Sequence, residues 1–174
     1  MATPPTSDLQ IEFLDDRHDR SGFTCGVESL DRYLKTQAGQ DVRRKANGVF
    51  ILSERAEPTC VLGYYTLCAM ALSRGDVPDA ARKHLPRYPL VSATLIGRLA
   101  VSKDRQRQRL GAVLLADALR RAVASAGTVG SSMVIVDALD ESAAAFYAAH
   151  GFVQLPDSFR LVLPMRLAGG MVER

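Results

Sequence analysis

The segment VSKDRQRQRLGAVLL, Val101 to Leu115, gathers the groups in this chain best suited to an anion. Between Arg98 and Gly111 lie five cations, Arg98, Lys103, Arg105, Arg107 and Arg109, against the single anion Asp104, a net of +4. The whole chain carries +3, so the remainder is close to neutral, at −1. The apolar run Thr94 to Val101 predicts a strand, and the recurrence of Leu115, Ala118, Leu119 and Ala122 predicts a helix opening at Leu110. The first turn of a helix has backbone N–H groups without intrahelical partners, and the helix dipole adds partial positive charge there. A strand that runs through a short loop into such a turn makes a pyrophosphate site. Gly111 would let the backbone approach the phosphates, and flanking arginines would offer bidentate donors. The P-loop pattern GxxxxGK[ST] and the dinucleotide pattern GxGxxG are both absent. The residues alone leave an anion-binding turn and a plain solvated basic loop equally open.

The elements that must position this loop follow from apolar spacing. Leu9 to Leu14 reads as a first strand, and Val27, Leu30, Tyr33 and Leu34 share one helix face. Val49 to Leu52 and Cys60 to Met70, separated by Glu57-Pro58, predict an antiparallel hairpin. The Ser73 to Ser92 connection is long, with Pro78, Pro86 and Pro89 and a short helix expected at Asp79 to Leu85. MVIVD, Met133 to Asp137, predicts a strand buried on both faces. Asp140 is placed to cap a helix Glu141 to His150 that Gly151 ends, and His150 there has a structural use near the negative end of the helix. Phe159 to Met165 reads as a last strand, with Pro164 marking a strand end or an edge. The order predicts an α/β (α+β) fold, one domain over residues 1–174 built on a single mixed central sheet flanked by helices.

Three separate segments resemble one family. Gln106-Arg107-Gln108-Arg109-Leu110-Gly111 is similar to the acyl-CoA-binding motif [QR]-x-x-G-x-[GA] of the Gcn5-related N-acetyltransferases (GNAT fold), with Arg109 standing where the first glycine usually does. Leu99, Ala100 and Val101 resemble the strand whose backbone pairs with the pantetheine arm, and FYAAHGF, Phe146 to Phe152, resembles the family's later helix. CGVESLDRYL, GYYTL, PRYPL, LIGRLAV and VDALDESAAAFYAAHGF together look like the GNAT toxins of bacterial toxin–antitoxin pairs, from about Cys25 to the C-terminus.

The resemblance implies a splayed pair of strands at the acyl-CoA site. It implies acetyl-CoA as cofactor, held by Leu99, Ala100, Val101, Gln106, Arg107, Gln108, Arg109, Leu110, Gly111 and Ala112. It implies Tyr147 as the group that protonates the leaving thiolate. The implied acceptor is the α-amine of an aminoacyl-tRNA, acetylated to block translation, and the implied partner is a ribbon-helix-helix antitoxin. A homodimer is one assembly open to such a chain. Phosphate contacts would then need cations, for which Arg82, Lys83, Arg87 and Arg98, and the run Arg43, Arg44, Lys45, are candidates; Arg98 reads equally well as structural. Tyr64 and Tyr65 point to opposite faces of a strand, so one is expected in the core while the other could line the acceptor side.

Composition narrows the alternatives. No stretch approaches the roughly 20 apolar residues of a membrane span, and the N-terminus MATPPTSDLQ lacks the pattern of a secretory signal. Cys25, Cys60 and Cys68 lack metal-ligand spacing and suit a reducing compartment, so the cytoplasm is expected. His18 and His84 have no partner at ligand spacing, and no metal is expected. Two other functions fit the same residues: acetylation of a small amine or a protein N-terminus, and a non-catalytic acyl-CoA-binding or interaction module.

Overall fold

The computed structural model describes residues 8–173. Strand β1 (Leu9–Phe13) pairs antiparallel with β2 (Gly48–Glu54), and β2 pairs antiparallel with β3 (Gly63–Ser73). The expected hairpin is therefore present, its turn closed by the Glu57 amide donating to the Glu54 carbonyl. Between β1 and β2 the chain forms α1 (Glu28–Arg32), a π-helical turn Tyr33–Gln37 and α2 (Ala38–Arg43). After β3 come a short α3 (Asp79–Arg82) and the long strand β4 (Leu90–Val101). Then follow α4 (Leu110–Ala126), β5 (Met133–Asp137), α5 (Glu141–Ala149), β6 (Val153–Gln154), β7 (Arg160–Pro164) and α6 (Met165–Val172). The strands form one mixed sheet in the order β1-β2-β3-β4-β5-β7-β6. The expected mixed α/β fold with a single central sheet is borne out.

The chain divides into two compact units, and β3, β4 and α4 run through both. The first unit contains residues up to Leu67 and Arg98–Asp117. Its core takes Leu30, Tyr33, Leu34 and Ala38 from the helical segment, Val49 and Ile51 from alternate positions of β2, and Tyr64 and Ala100 from β3 and β4. The period-3.6 pattern of the helix thus meets the period-2 pattern of the strands. On the opposite face of β2, Phe50 stacks on Tyr65 with ring centroids 4.8 Å apart.

The second unit contains Cys68–Gly97 and Ala118–Arg174. Here β4 and β5 run parallel from Ala93↔Met133 to Ile96↔Val136, and β4 extends past this last pair to Val101. β5 is flanked by β7, with Met133, Val134, Ile135 and Val136 fully buried, as a continuous β-branched run requires of a central strand. Asp140 caps α5, its carboxylate accepting from the Ala143 amide at 2.9 Å. At the other end the His150 Nδ1 meets the Phe146 carbonyl at 2.8 Å, and Gly151 turns the chain with φ +92°.

Two elements differ from expectation. Pro164 ends β7 and then opens α6, a helix whose two glycines, at roughly 1 kcal/mol each against alanine, argue against it on propensity. Tertiary packing overrides that, because α6 rests on β5 and β7 and fully buries Ala168. The two-residue strand β6 is too short to leave a periodic signal.

Candidate active site

The loop between β4 and α4 lies in the first unit and is pinned at its near end. The Ser102 amide donates to the Leu62 carbonyl at 2.7 Å, the Lys103 amide to Thr24 at 2.7 Å, and Ser102 Oγ to Asp104 Oδ1 at 2.6 Å. The Arg105 guanidinium bridges to Glu54 Oε1, also at 2.6 Å. Gln106 Nε2 donates to two carbonyls, Cys25 at 2.8 Å and Val101 at 3.1 Å. Gln106 and Arg105 therefore anchor the loop. Of the cations that make up the +4, Arg105 has its own counter-ion in Glu54, whereas Lys103, Arg107 and Arg109 are exposed.

Beyond Gln106 the backbone changes hand. Arg107 has φ +65° and Arg109 has φ +61°, while Gln108 between them keeps a negative φ. Glycine normally takes the left-handed conformation, and an arginine there costs roughly 1–2 kcal/mol. Alternation of φ sign turns successive N–H groups toward one side and forms a concave anion site. Arg109, which replaces the usual glycine, adopts the left-handed region that a glycine permits. Both arginine side chains are exposed. Leu110 is buried and starts α4, Gly111 and Ala112 occupy its first turn, and the Val113 amide donates to the Arg109 carbonyl at 3.3 Å. Gly111 is thus helical; the left-handed residues are the arginines before it.

This loop fits an acyl-CoA. It combines alternating φ sign, the backbone pattern of an anion-binding nest, with a helix start and exposed arginines on either side of Gln108. The Gln108 amide also has a buried oxygen with no hydrogen-bond partner among the described residues. Such an orphan is costly unless a ligand meets it, and a bound acyl-CoA carries groups able to do so. The strand Leu99–Val101 leads into the loop, with Ala100 buried and its two neighbours half-buried.

Gly63, which carries no chemistry to mark it in the sequence, shapes that strand. A Cβ there would stand 2.8 Å from the Ala100 carbonyl oxygen and 3.1 Å from Leu114 Cδ1. A glycine inside a strand signals close backbone approach, and that was the available clue.

One of Tyr64 and Tyr65 is expected in the core, and both are found there, so neither takes the acceptor-side position open to the other. Both are fully buried. Tyr64 donates its hydroxyl to the Leu30 carbonyl at 2.7 Å, and Tyr65 donates to Asp117 Oδ2 at 2.6 Å. Both phenols are structural. Arg98 stacks on the Tyr33 ring, with Cζ 3.5 Å from the ring centroid. In the sequence, Tyr33 shows only its place on a helix face, and nothing nearby signals this contact.

In the second unit, Tyr147 sits near the C-terminal end of α5 and is buried against Phe146 and Phe152, with ring centroids 5.1 and 5.7 Å away. Burial pushes its phenol up to about 12. No described residue hydrogen-bonds to its hydroxyl. Such a group holds its proton at neutral pH, which suits it to donate a proton and not to accept one. Of the cations considered for RNA, Arg82 is committed within its own segment. It donates to the Val77 carbonyl from Nε at 3.0 Å and from a terminal nitrogen at 2.9 Å, and pairs with Asp79 at 3.3 Å. Lys83, Arg87 and the run Arg43, Arg44, Lys45 are exposed.

Comparison with known proteins is consistent with this geometry. The profile described as "Acetyltransferase (GNAT) domain" matches residues 62–154. A "tRNA-acetylating toxin" of Mycobacterium tuberculosis is 31% identical over 160 residues, covering 91% of this chain and 93% of the relative. The solved structure of AtaT complexed with acetyl-methionyl-tRNAfMet superposes with a TM-score of 0.85 at 32% identity, over 94% of this chain and 99% of that one. A tyrosine-to-phenylalanine variant of AtaT, bound to the C-terminus of the antitoxin AtaR and acetyl-CoA, gives 0.81 at 29% identity, over 96% and 99%.

Proposed function

Because this chain belongs to the GNAT family of acetyltransferases, we propose that it is a toxin that transfers the acetyl group of acetyl-CoA to the α-amine of aminoacyl-tRNA. The observation that carries the cofactor half of this reading is the paired left-handed backbone at Arg107 and Arg109 before α4. Likeness to toxins that act on tRNA supports the acceptor half. The whole chain, residues 1–174, acts as one acetyltransferase domain.

The backbone N–H groups of Arg107 to Ala112 hold the pyrophosphate, and the Leu99–Val101 backbone aligns the pantetheine arm. Acetyl-CoA, when bound, supplies an activated acetyl thioester. Donors fixed on a strand stabilise charge that develops on the carbonyl oxygen without reorganising. Tyr147 delivers its proton to the departing sulfur; burial keeps the phenol protonated until that transfer while making it a weaker acid than an exposed tyrosine. The proton of the attacking amine passes to water. Lys83 and Arg87 bind tRNA phosphates. A ribbon-helix-helix antitoxin neutralises the chain in the cytoplasm; likeness to AtaT, solved with the C-terminus of the antitoxin AtaR, supports an antitoxin partner as such.

Radiolabelled acetyl-CoA incubated with charged total tRNA, with polyamines and with peptides tests this reading. Label is expected in the tRNA fraction as an N-acetyl-aminoacyl ester. Label confined to polyamine or peptide removes the tRNA assignment, and label in no fraction removes the enzyme.

A further inference from the structure

Arg98 lies at the end of Leu99–Val101 opposite the Arg107–Arg109 loop. Its guanidinium lies over the Tyr33 ring at 3.5 Å and is half-buried. The ring beneath it is held fast. The Tyr33 hydroxyl donates to Asp41 Oδ2 at 2.8 Å and accepts from Asn47 Nδ2 at 3.2 Å, while Asn47 also donates to Asp41 at 3.0 Å. Below it, Tyr64 stacks within 17° of parallel at 6.4 Å. Tyr33 also opens the π-helical turn Tyr33–Gln37, a form concentrated at functional sites.

The platform leaves the arginine's donors unused. Asp41 is close enough to feel the charge of Arg98, yet its oxygens are taken by Tyr33, Gln37 and Asn47. No described residue accepts a hydrogen bond from the Arg98 guanidinium. A guanidinium stacked on a ring keeps its five N–H donors in the plane and clear of the ring, in the fork that matches a phosphate. Ion pairing within the protein would satisfy such a group; here an aromatic face orients it and leaves it charged and available.

We propose that Arg98 binds the phosphodiester of the 3′-terminal nucleotide of the acceptor, with Tyr33 as its positioning residue. This rests on the reading of the chain as an aminoacyl-tRNA acetyltransferase. The cofactor's phosphates have their own cradle at Arg107–Arg109, so the Arg98 guanidinium, three residues before the C-terminal end of β4, is left to serve the other substrate. In an aminoacyl-tRNA, the phosphodiester nearest the reacting amine is that of the 3′-terminal nucleotide.

The test uses the full chain and four variants: Arg98→Gln, Arg98→Lys, Tyr33→Leu and Tyr33→Phe. Binding of a 5′-labelled RNA hairpin with a single-stranded 3′ tail is followed by fluorescence anisotropy across salt concentrations. Steady-state acetylation of aminoacyl-tRNA and KM for acetyl-CoA are measured alongside. Arg98→Gln is expected to weaken RNA binding and raise KM for aminoacyl-tRNA about tenfold or more. It should flatten the salt dependence by roughly 0.7 of a unit, one phosphate contact on a single strand, and leave KM for acetyl-CoA unchanged. Arg98→Lys should keep the salt slope while losing part of the affinity. Tyr33→Leu should reproduce most of the Arg98→Gln loss, and Tyr33→Phe, which keeps the ring, should restore it.

An unchanged salt slope in Arg98→Gln overturns the phosphate assignment, as does an equal rise in KM for acetyl-CoA. Tyr33→Leu binding like wild type removes the positioning role. If wild type acetylates no aminoacyl-tRNA, the functional reading fails, and the RNA-binding series alone then decides the phosphate contact.

Discussion

Gly63 on β3 and Ala100 on β4 approach so closely that a single methyl group has no room: a Cβ on Gly63 would lie 2.8 Å from the Ala100 carbonyl oxygen. Ala100 is the middle residue of the strand assigned to the pantetheine arm. Gly63→Ala must therefore displace backbone, since the obstructing atom is a carbonyl and not a flexible side-chain tip. Overpacking of this kind costs about 1–3 kcal/mol. The expected result is a lower melting temperature together with a raised KM for acetyl-CoA. Loss of stability with the KM unchanged would mean that the displacement is absorbed by β3 alone.

Arg109 offers a test in the opposite direction. Its φ of +61° belongs to the region that glycine occupies without strain. Arg109→Gly relieves roughly 1–2 kcal/mol of backbone strain against about 0.4–1 kcal/mol of added freedom in the unfolded chain. The melting temperature is expected to hold or rise slightly. Calorimetry should show coenzyme A binding essentially preserved, because the loop contributes through its N–H groups. Arg109→Val, branched at Cβ, should lose both stability and binding. A tenfold loss of coenzyme A affinity in Arg109→Gly, about 1.4 kcal/mol, would assign the contact to the guanidinium instead.

The Tyr147 phenol, raised to about 12 by burial, stays protonated across the working range of the protein. Raising pH first frees the acceptor α-amine, whose ordinary pKa lies near 8, so kcat/KM should climb to about that pH. The profile should then stay level to about pH 10, since the donor has not yet lost its proton. Tyr147→Phe should lower kcat by about 100-fold or more while leaving coenzyme A affinity intact. A descending limb near pH 9 in wild type, absent from the Phe variant, would require a Tyr147 pKa far below that of a buried phenol.

Features carried by neighbouring residues were legible in the sequence. The helix from Leu110, the buried MVIVD strand, the Asp140 cap and the Gly151 stop each announce themselves within a few positions. The local excess of positive charge was legible too, though alone it left an anion-binding turn and a solvated basic loop equally open. How that charge is divided was not. Arg105 finds Glu54, Gln106 finds the Cys25 carbonyl and Arg98 finds the Tyr33 ring, all partners distant along the chain. The burial of both paired tyrosines was hidden for a related reason. Strand alternation assigns opposite faces to Tyr64 and Tyr65, but the helical layer covers one face and α4 supplies Asp117 to the other. A hydrogen-bonded phenol can be buried on either side. Helix α6 was missed because its glycines contradict it locally.

The nine residues of α5 are held at both ends, by the Asp140 carboxylate at the start and by the His150–Gly151 turn at the finish. A helix advances about 100° per residue. Inserting or deleting one alanine in the stretch between Asp140 and Phe146 would therefore swing the Tyr147 phenol by that angle relative to the cap, without changing a charged or aromatic side chain. The count of alanines in this helix is thus itself information: it sets the direction in which the phenol points.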